Sequence, residues 1–213
     1  MQTLNPLSAQ ARDFTEAYVP EDRAGQVARS LAREVGLEPV PPGTGAGLRL
    51  LAAAGGARAV VEIGTGTGVS GLWLLAGMRP DGILTTIDVE AEHQRMARRI
   101  FQEAGYPASR TRIITGRALD VLPRLSDGAY DLLFLDGDRD EYPAIATAAL
   151  RLLRRGGVLA VSGALAGGRI GDPAARDPNT TVLRELAGAL RDAEEWLPAL
   201  LPVGDGLLAA VKR

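Results

Sequence analysis

Val60-Val61-Glu62-Ile63-Gly64-Thr65-Gly66-Thr67-Gly68-Val69-Ser70-Gly71 decides how this chain is read. An apolar run that predicts a strand enters glycines spaced two and three residues apart, and Leu72-Trp73-Leu74-Leu75 continue with a helical pattern. A second apolar run ends on an acid, Ile83-Leu84-Thr85-Thr86-Ile87-Asp88. Strand, glycine turn, helix, strand and terminal acid are the parts of a nucleoside-binding β-α-β unit. Glycines let backbone N–H groups come close to an anion at a helix N-terminus. An acid that closes the next strand accepts the hydroxyl protons of a ribose.

Which nucleoside is a matter of register. Gly66-x-Gly68-x-x-Gly71 fits the dinucleotide expression, a weak signal by itself. Gly64, however, holds the strand end, and Glu62 precedes it by two, so the stretch reads E-x-G-x-G-x-G. Val69 then stands where the dinucleotide rule places its third glycine. An acid just inside the strand end also suits a cationic amino-acid ligand better than a pyrophosphate. E-x-G-x-G-x-G resembles the first motif of S-adenosylmethionine (SAM) methyltransferases. A glycine-rich turn with no ligand is the plainer alternative, and the placement of Asp88 weighs against it.

Composition narrows the class. At 213 residues the chain is long enough for one α/β domain with a full core. The expectation is a single methyltransferase domain over 1–213, with 1–56 as a helical cap and 57–213 as the SAM-binding core. The hydrophobic fraction of 46% and charged fraction of 23% are ordinary for a soluble protein. A formal net charge of -2 offers no basic footprint for nucleic acid. The absence of cysteine excludes disulfides, thiolate metal sites and a cysteine nucleophile. Met1-Gln2-Thr3-Leu4-Asn5-Pro6 has neither the basic start nor the apolar run of a signal peptide, and no stretch reaches the length of a membrane span. A cytoplasmic protein with no membrane or nucleic-acid partner is expected. Lys212 is the sole lysine, so arginine in place of lysine is a weaker sign of altered chemistry here than elsewhere.

The pattern along the chain predicts two helices over 7–36, a stiff Pro39-Val40-Pro41-Pro42-Gly43 linker, and a short helix over 45–55. Strands near 58–63, 83–88, 111–116, 130–136 and 157–162 then alternate with helices near 69–78, 90–105, 117–126 and 141–154. Alternation of this kind predicts a parallel, doubly wound sheet. After a helix near 179–192, Trp196-Leu197-Pro198-Ala199-Leu200-Leu201 and Leu207-Leu208-Ala209-Ala210-Val211 flank a Gly204-Asp205-Gly206 turn. That is an antiparallel hairpin. The predicted fold class is therefore α/β, a Rossmann-like class I SAM-dependent methyltransferase fold whose seven-stranded, mostly parallel sheet ends in that hairpin. A nicotinamide oxidoreductase is disfavoured by the hairpin and by the register of Glu62.

Four segments carry a closer likeness. They are Glu62–Ser70, Asp81–Asp88, Tyr130-Asp131-Leu132-Leu133-Phe134-Leu135-Asp136-Gly137-Asp138-Arg139 with Tyr142, and Leu201–Gly206. Over residues 38–213 the chain resembles the cation-dependent O-methyltransferases of the caffeoyl-CoA and catechol type. The resemblance implies that Gly64 and Gly66 lie against the amino-acid portion of SAM, with Ser70 donating to its carboxylate. Asp88 would hold the ribose, Ala118 would offer its N–H near the adenine, and Val40 would pack from the N-terminal side. Asp136 would sit beside the methionine amino group and the reacting centre. A homodimer is implied as well, and Phe14, Tyr18, Val27, Leu31 and Val35 on the N-terminal helices are apolar residues that a partner surface or the chain's own sheet would cover. Ser70 equally suits an ordinary early-helix serine.

The likeness fails at the family's metal site, which uses the aspartate matching Asp136 and an Asp-Asn pair closing the fifth strand. Ser162 and Gly163 stand at those two places. A hard divalent ion takes several oxygen ligands, usually carboxylates, so no metal ligand is expected and divalent ions are not expected to be required. The family's catalytic lysine is replaced by Arg139, and a guanidinium cannot act as a base. The expected function is SAM-dependent methylation of a small-molecule hydroxyl. Asp136 is the leading base or orienter, with Asp138 and Tyr142 behind it. The alternative is a protein that binds SAM or S-adenosylhomocysteine (SAH) without turnover. His93 reads as a surface residue or adenine-side neighbour. The stretch 163–178 reads as a lid over the acceptor pocket or as a disordered segment.

Overall fold

The computed structural model describes residues 8–213, so Met1–Pro6 and their expected lack of a signal sequence lie outside the described residues. Seven strands form one sheet: β1 (Ala59–Ile63), β2 (Ile83–Asp88), β3 (Thr111–Thr115), β4 (Tyr130–Leu135), β5 (Leu153–Ser162), β6 (Trp196–Leu201) and β7 (Leu207–Lys212). Their order is β3-β2-β1-β4-β5-β7-β6. The first five strands pair in parallel, and β7 runs antiparallel between β5 and β6. The expected architecture is thus observed. The helices are α1 (Ala9–Ala17), α2 (Arg23–Glu34), α3 (Pro42–Ala54), α4 (Val69–Gly77), α5 (Ala91–Glu103), α6 (Ala118–Val121), α7 (Tyr142–Leu152) and α8 (Pro178–Asp192).

Alternation along each strand splits the core in two. Val61 and Ile63 face a layer with Leu133, Leu135, Leu159 and Val161, covered by Ile145 and Leu152 of α7 and Leu183 of α8. Val60 faces the opposite layer with Leu132, Phe134 and Ala160, under Leu48 of α3, Leu74 of α4 and Phe101 of α5. Glu62 shares the parity of Val60, so its carboxylate is driven into that second layer.

Local chemistry explains where the elements stop. Asp22 caps α2 by accepting from the Gly25 N–H at 2.8 Å. Pro42 opens α3 instead of ending a linker, because the first turn of a helix has no use for its missing N–H. The helix expected over 117–126 is a single turn, α6, followed by a 3-10 turn at Leu122–Arg124. Pro123 removes the donor that a longer helix needs. The helix expected to reach 154 ends at Leu152, and β5 starts at Leu153 with a register shift against Tyr130 and Leu132. Gly156, at φ +75, sits within that stretch. Pro198 is tolerated because β6 is an edge strand.

Two long-range ties hold the frame. The Asp131 carboxylate accepts the N–H groups of Arg58 and Ala59 at 2.7 and 2.8 Å and pairs with Arg154 at 2.6 Å. It clasps the amino ends of β1, β4 and β5. The Glu16 carboxylate accepts from Gly43 N–H at 2.7 Å and Gly204 N–H at 2.9 Å, which ties α1 to α3 and to the β6–β7 turn. The stretch 163–178 contains a 3-10 turn at Arg169–Gly171. The Arg184 guanidinium of α8 donates to the carbonyls of Arg169, Ile170, Asp172 and Ala175 along it. That bonded arrangement corrects the expectation of a disordered segment.

Candidate active site

The strand order reverses between β1 and β4, and a crevice at such a switch point is where open α/β sheets bind ligands. A cavity of about 450 Å³ opens there at the carboxyl ends of the strands. Val40, Gly64, Gly66, Ser70, Asp88, Ala118, Asp136 and Asp138 all line it. Residues from the α2–α3 connection to β4 are therefore brought into one place.

The first wall is the glycine turn. Gly64 has φ +95, and a Cβ there would lie 2.8 Å from the carbonyl carbon of Asp136. Only glycine lets the ends of β1 and β4 meet this closely. The ladder continues past the strands through Gly64 N–H to Ile87 O at 2.8 Å and Asp136 N–H to Ile63 O at 2.9 Å. Gly68, at φ +94, caps α4 and leads directly into Ser70. Asp88 closes β2 and accepts from Gly66 N–H and Glu90 N–H, both at 2.9 Å. Each carboxylate oxygen keeps a further lone pair for a ligand hydroxyl.

Glu62 and Ser70 are placed differently from expectation. Glu62 is fully buried and does not line the cavity. Its two oxygens accept from the hydroxyls of Ser70 and Thr86, both at 2.6 Å. Thr65 pairs with Thr86 at 2.7 Å, Gln94 donates to Thr65 at 3.3 Å, and Thr115 donates to Gln94 at 2.6 Å. This hydroxyl network lies directly under the glycine turn. Burial pushes the Glu62 carboxyl up to about 7, against the pull of the two hydroxyls. Ser70 still lines the cavity, but its proton is directed at Glu62. The acid was visible in the sequence; partners eight and twenty-four positions away were not.

The far wall holds Asp136 and Asp138. Burial pushes Asp136 up to about 7, while the Ser162 hydroxyl and the charge of Arg139 pull it down. Asp138 accepts from Asp140 N–H at 3.1 Å and caps the 3-10 turn Arg139–Glu141. Tyr142 is 1% exposed and outside the cavity lining, its hydroxyl donating to Gly137 O at 3.3 Å. Burial raises its phenol further above the usual range. Gly163 has φ +65, and a Cβ there would lie 2.8 Å from Nη2 of Arg139. The bare α-carbon of Gly163 is therefore where the arginine head lies. Among the described residues, no three or more of His, Cys, Asp and Glu gather in a way that could hold a metal ion.

Several lining residues were not singled out as binding residues from sequence, His93, Arg117 and Glu141 among them. His93 of α5 lines the cavity and is partly exposed. Arg117 and Glu141 face one another across the rim as an ion pair at 2.7 Å. Their 24-residue separation carries no sequence signal.

Comparison with known proteins agrees with this geometry. The family model described as O-methyltransferase matches residues 27–213. A Mycobacterium marinum protein named as an O-methyltransferase is 52% identical over 97% of this chain and 90% of its own length. The O-methyltransferase TomG of Streptomyces achromogenes, solved with SAM, superposes with a TM-score of 0.84 at 32% identity, covering 94% of each chain. An O-methyltransferase from Bacillus cereus, solved with SAH, gives a TM-score of 0.85 at 26% identity over 97% of this chain and 98% of that one. The chain belongs to the O-methyltransferase family.

Proposed function

We propose that the chain is a SAM-dependent methyltransferase that methylates a hydroxyl oxygen of a small molecule without help from a divalent ion. The observation that carries this reading is the cavity in which the Gly64–Ser70 turn faces Asp88 and Asp136 at the switch point of the sheet. The SAM- and SAH-bound relatives support the choice of ligand. Gly64 and Gly66 bring backbone close to the amino-acid part, Asp88 accepts the ribose hydroxyls, and Ala118 and Val40 close the adenine side. Bound SAM supplies a methyl group on a sulfonium for in-line displacement by the acceptor oxygen. The chain's task is to orient that oxygen and take its proton. Asp136 is the proposed acceptor of the proton, since a carboxyl held near 7 by burial is matched to that exchange at neutral pH. Asp138 lies beside it in the lining, and Tyr142 supports the turn from below.

The residues present do not suit a divalent ion. One carboxylate, one hydroxyl and a glycine covered by a guanidinium make a poor cage for a hard cation. That same departure supports a second reading, a SAM- or SAH-binding protein without turnover. Methyl transfer from labelled SAM to a phenol and catechol panel, with and without chelator, tests both. Turnover in chelator supports the first reading, binding without turnover supports the second, and turnover that needs Mg²⁺ refutes the metal-free claim.

We further propose one methyltransferase domain, a cytoplasmic location and a homodimer, with no nucleic-acid or membrane partner. No described helix is long and apolar enough to cross a membrane. Phe14 and Tyr18 of α1 are 68% and 74% exposed, and Leu50 of α3 is 68% exposed. Val27 and Val35 are also exposed, which favours a second copy over the chain's own sheet as their cover.

A further inference from the structure

Arg139 is only partly exposed and forms no ion pair with any described residue. Arg110 and Arg184 also lack ion pairs, but their guanidinium groups donate to backbone carbonyls. The Arg139 guanidinium lies beside the Tyr142 hydroxyl and within the field of Asp136. Its head rests over the bare α-carbon of Gly163, where any side chain would collide with it. The Asp205 carboxylate lies on the same side, with Oδ2 3.7 Å from the Gly163 Cβ position. Its oxygens instead accept from Gly167 N–H at 2.9 and 3.0 Å. A guanidinium has five donors in a fixed fork, and most of them here have no partner.

A cation held in this way has a cost that needs a return. Holding a half-buried guanidinium in one place restricts a flexible side chain, and the fold places glycine at φ +65 where its head lies. Leu135 pairs with Val161, so Asp136 and Gly163 lie at the neighbouring carboxyl ends of β4 and β5. Arg139 is outside the cavity lining, but its head over Gly163 is on the outer flank of Asp136, which does line the cavity. A positive group there meets an oxygen that approaches Asp136 from that flank. Its chemistry is that of a receptor for an oxyanion, because a planar fork binds anionic oxygen with two parallel hydrogen bonds.

We infer that Arg139 is the built-in cation of the acceptor site, which binds the attacking oxygen as an anion in the role a divalent ion plays in metal-dependent enzymes. The acceptor class is then a molecule whose reacting oxygen ionises readily. Acidic phenols and enols meet that requirement, and carboxylic acids share the chemistry. The proton of the phenol leaves to Asp136 or to water, the phenolate oxygen forms the new bond to the methyl carbon, and the sulfonium leaves as a neutral thioether. This inference rests on the SAM-dependent reading given above.

The test uses the full chain saturated with SAH in the presence of chelator, and 4-nitrophenol as the probe, since its neutral and ionised forms absorb at different wavelengths. An opposite charge in contact lowers a pKa by about 1–3 pH units. Wild type should lower the apparent pKa of bound 4-nitrophenol by that amount, Arg139→Met should abolish the effect, and Arg139→Lys should retain part of it. With SAM in place of SAH, kcat/KM of Arg139→Met should fall by about tenfold to thousandfold, the same span expressed as a ratio. Its affinity for SAH, measured by calorimetry, should stay near wild type and reports that the variant is folded. Methyl ester formation from benzoates, lost in Arg139→Met, would support the same anion site and assign it to carboxylates. The inference is overturned if bound 4-nitrophenol keeps its free pKa, if it does not bind at all, or if Arg139→Met behaves as wild type. Failure of wild type to bind SAH overturns the underlying reading too, whereas SAH binding without phenolate capture overturns this inference alone.

Discussion

Glu62 makes the stability of this protein fall as pH rises through the neutral range. In the unfolded chain its carboxyl titrates near 4.5, and in the folded protein burial moves it to about 7. Between those values the folded state holds a proton that the unfolded state has released. Stability from this source is fully present below about 4.5 and is lost as pH approaches and passes 7. The gap of about 2.5 pH units, at about 1.4 kcal/mol each, amounts to about 3 kcal/mol. Asp136, raised from 3.8 to about 7, contributes in the same direction. Glu62→Gln isolates the first contribution. The amide cannot ionise, and like the protonated acid it needs one of the Ser70 and Thr86 hydroxyls to turn and accept; its second N–H is then left without a partner, at about 1 kcal/mol. Urea denaturation of the ligand-free protein from pH 4.5 to 8 is the assay. The two stability curves should cross, with wild type the more stable by about 1 kcal/mol at the acid end and the variant ahead by up to about 2 kcal/mol at pH 8. A wild-type stability that is flat or rising across this range, or a variant curve parallel to wild type, would refute the reasoning.

Asp88→Ala removes an acceptor for the ribose and also the anchor of the Gly66 and Glu90 N–H groups. SAM affinity by calorimetry should weaken by about 1.5–3 kcal/mol, and an unchanged affinity in the folded variant would sink the assignment. Gly64→Ala should cost more than about 2 kcal/mol in thermal or urea unfolding and abolish SAM binding, because its Cβ meets the Asp136 backbone. Gly105→Ala is the control: at φ +85 with nothing near its Cβ, it should show only the backbone cost of about 1–2 kcal/mol. In solution at micromolar concentration, light scattering should report the mass of a dimer, and Tyr18→Glu together with Leu50→Glu should shift it to a monomer. A monomer mass for wild type would remove the proposed interface.

The sheet was legible in the sequence because period-two apolar runs alternate with helical ones, and the glycine turn because its conformation admits few residues. Gly64 and Asp88 could be placed by register alone. Elements governed by a single local donor were less legible: Pro123 cuts α6 to one turn, and Gly156 lets β5 begin several residues early. Contacts between distant residues left no trace. Nothing in the string ties Glu62 to Thr86, Arg117 to Glu141 or Arg184 to the carbonyls of its loop. Ser162 and Gly163 could be read as missing ligands, but not as the space into which Arg139 moves.

The Asp131 clasp has a consequence for how such a protein can change over generations. It pins the amino ends of β1, β4 and β5 through two N–H groups and one guanidinium, at the edge of the sheet away from the cavity. One of the two long-range ties of the frame thus lies at the rim opposite the cavity. Mutations in the carboxyl-end loops can alter which molecules are accepted while leaving the clasp intact. A lineage built on this frame can diversify its substrates by drift and selection without first crossing a valley of instability.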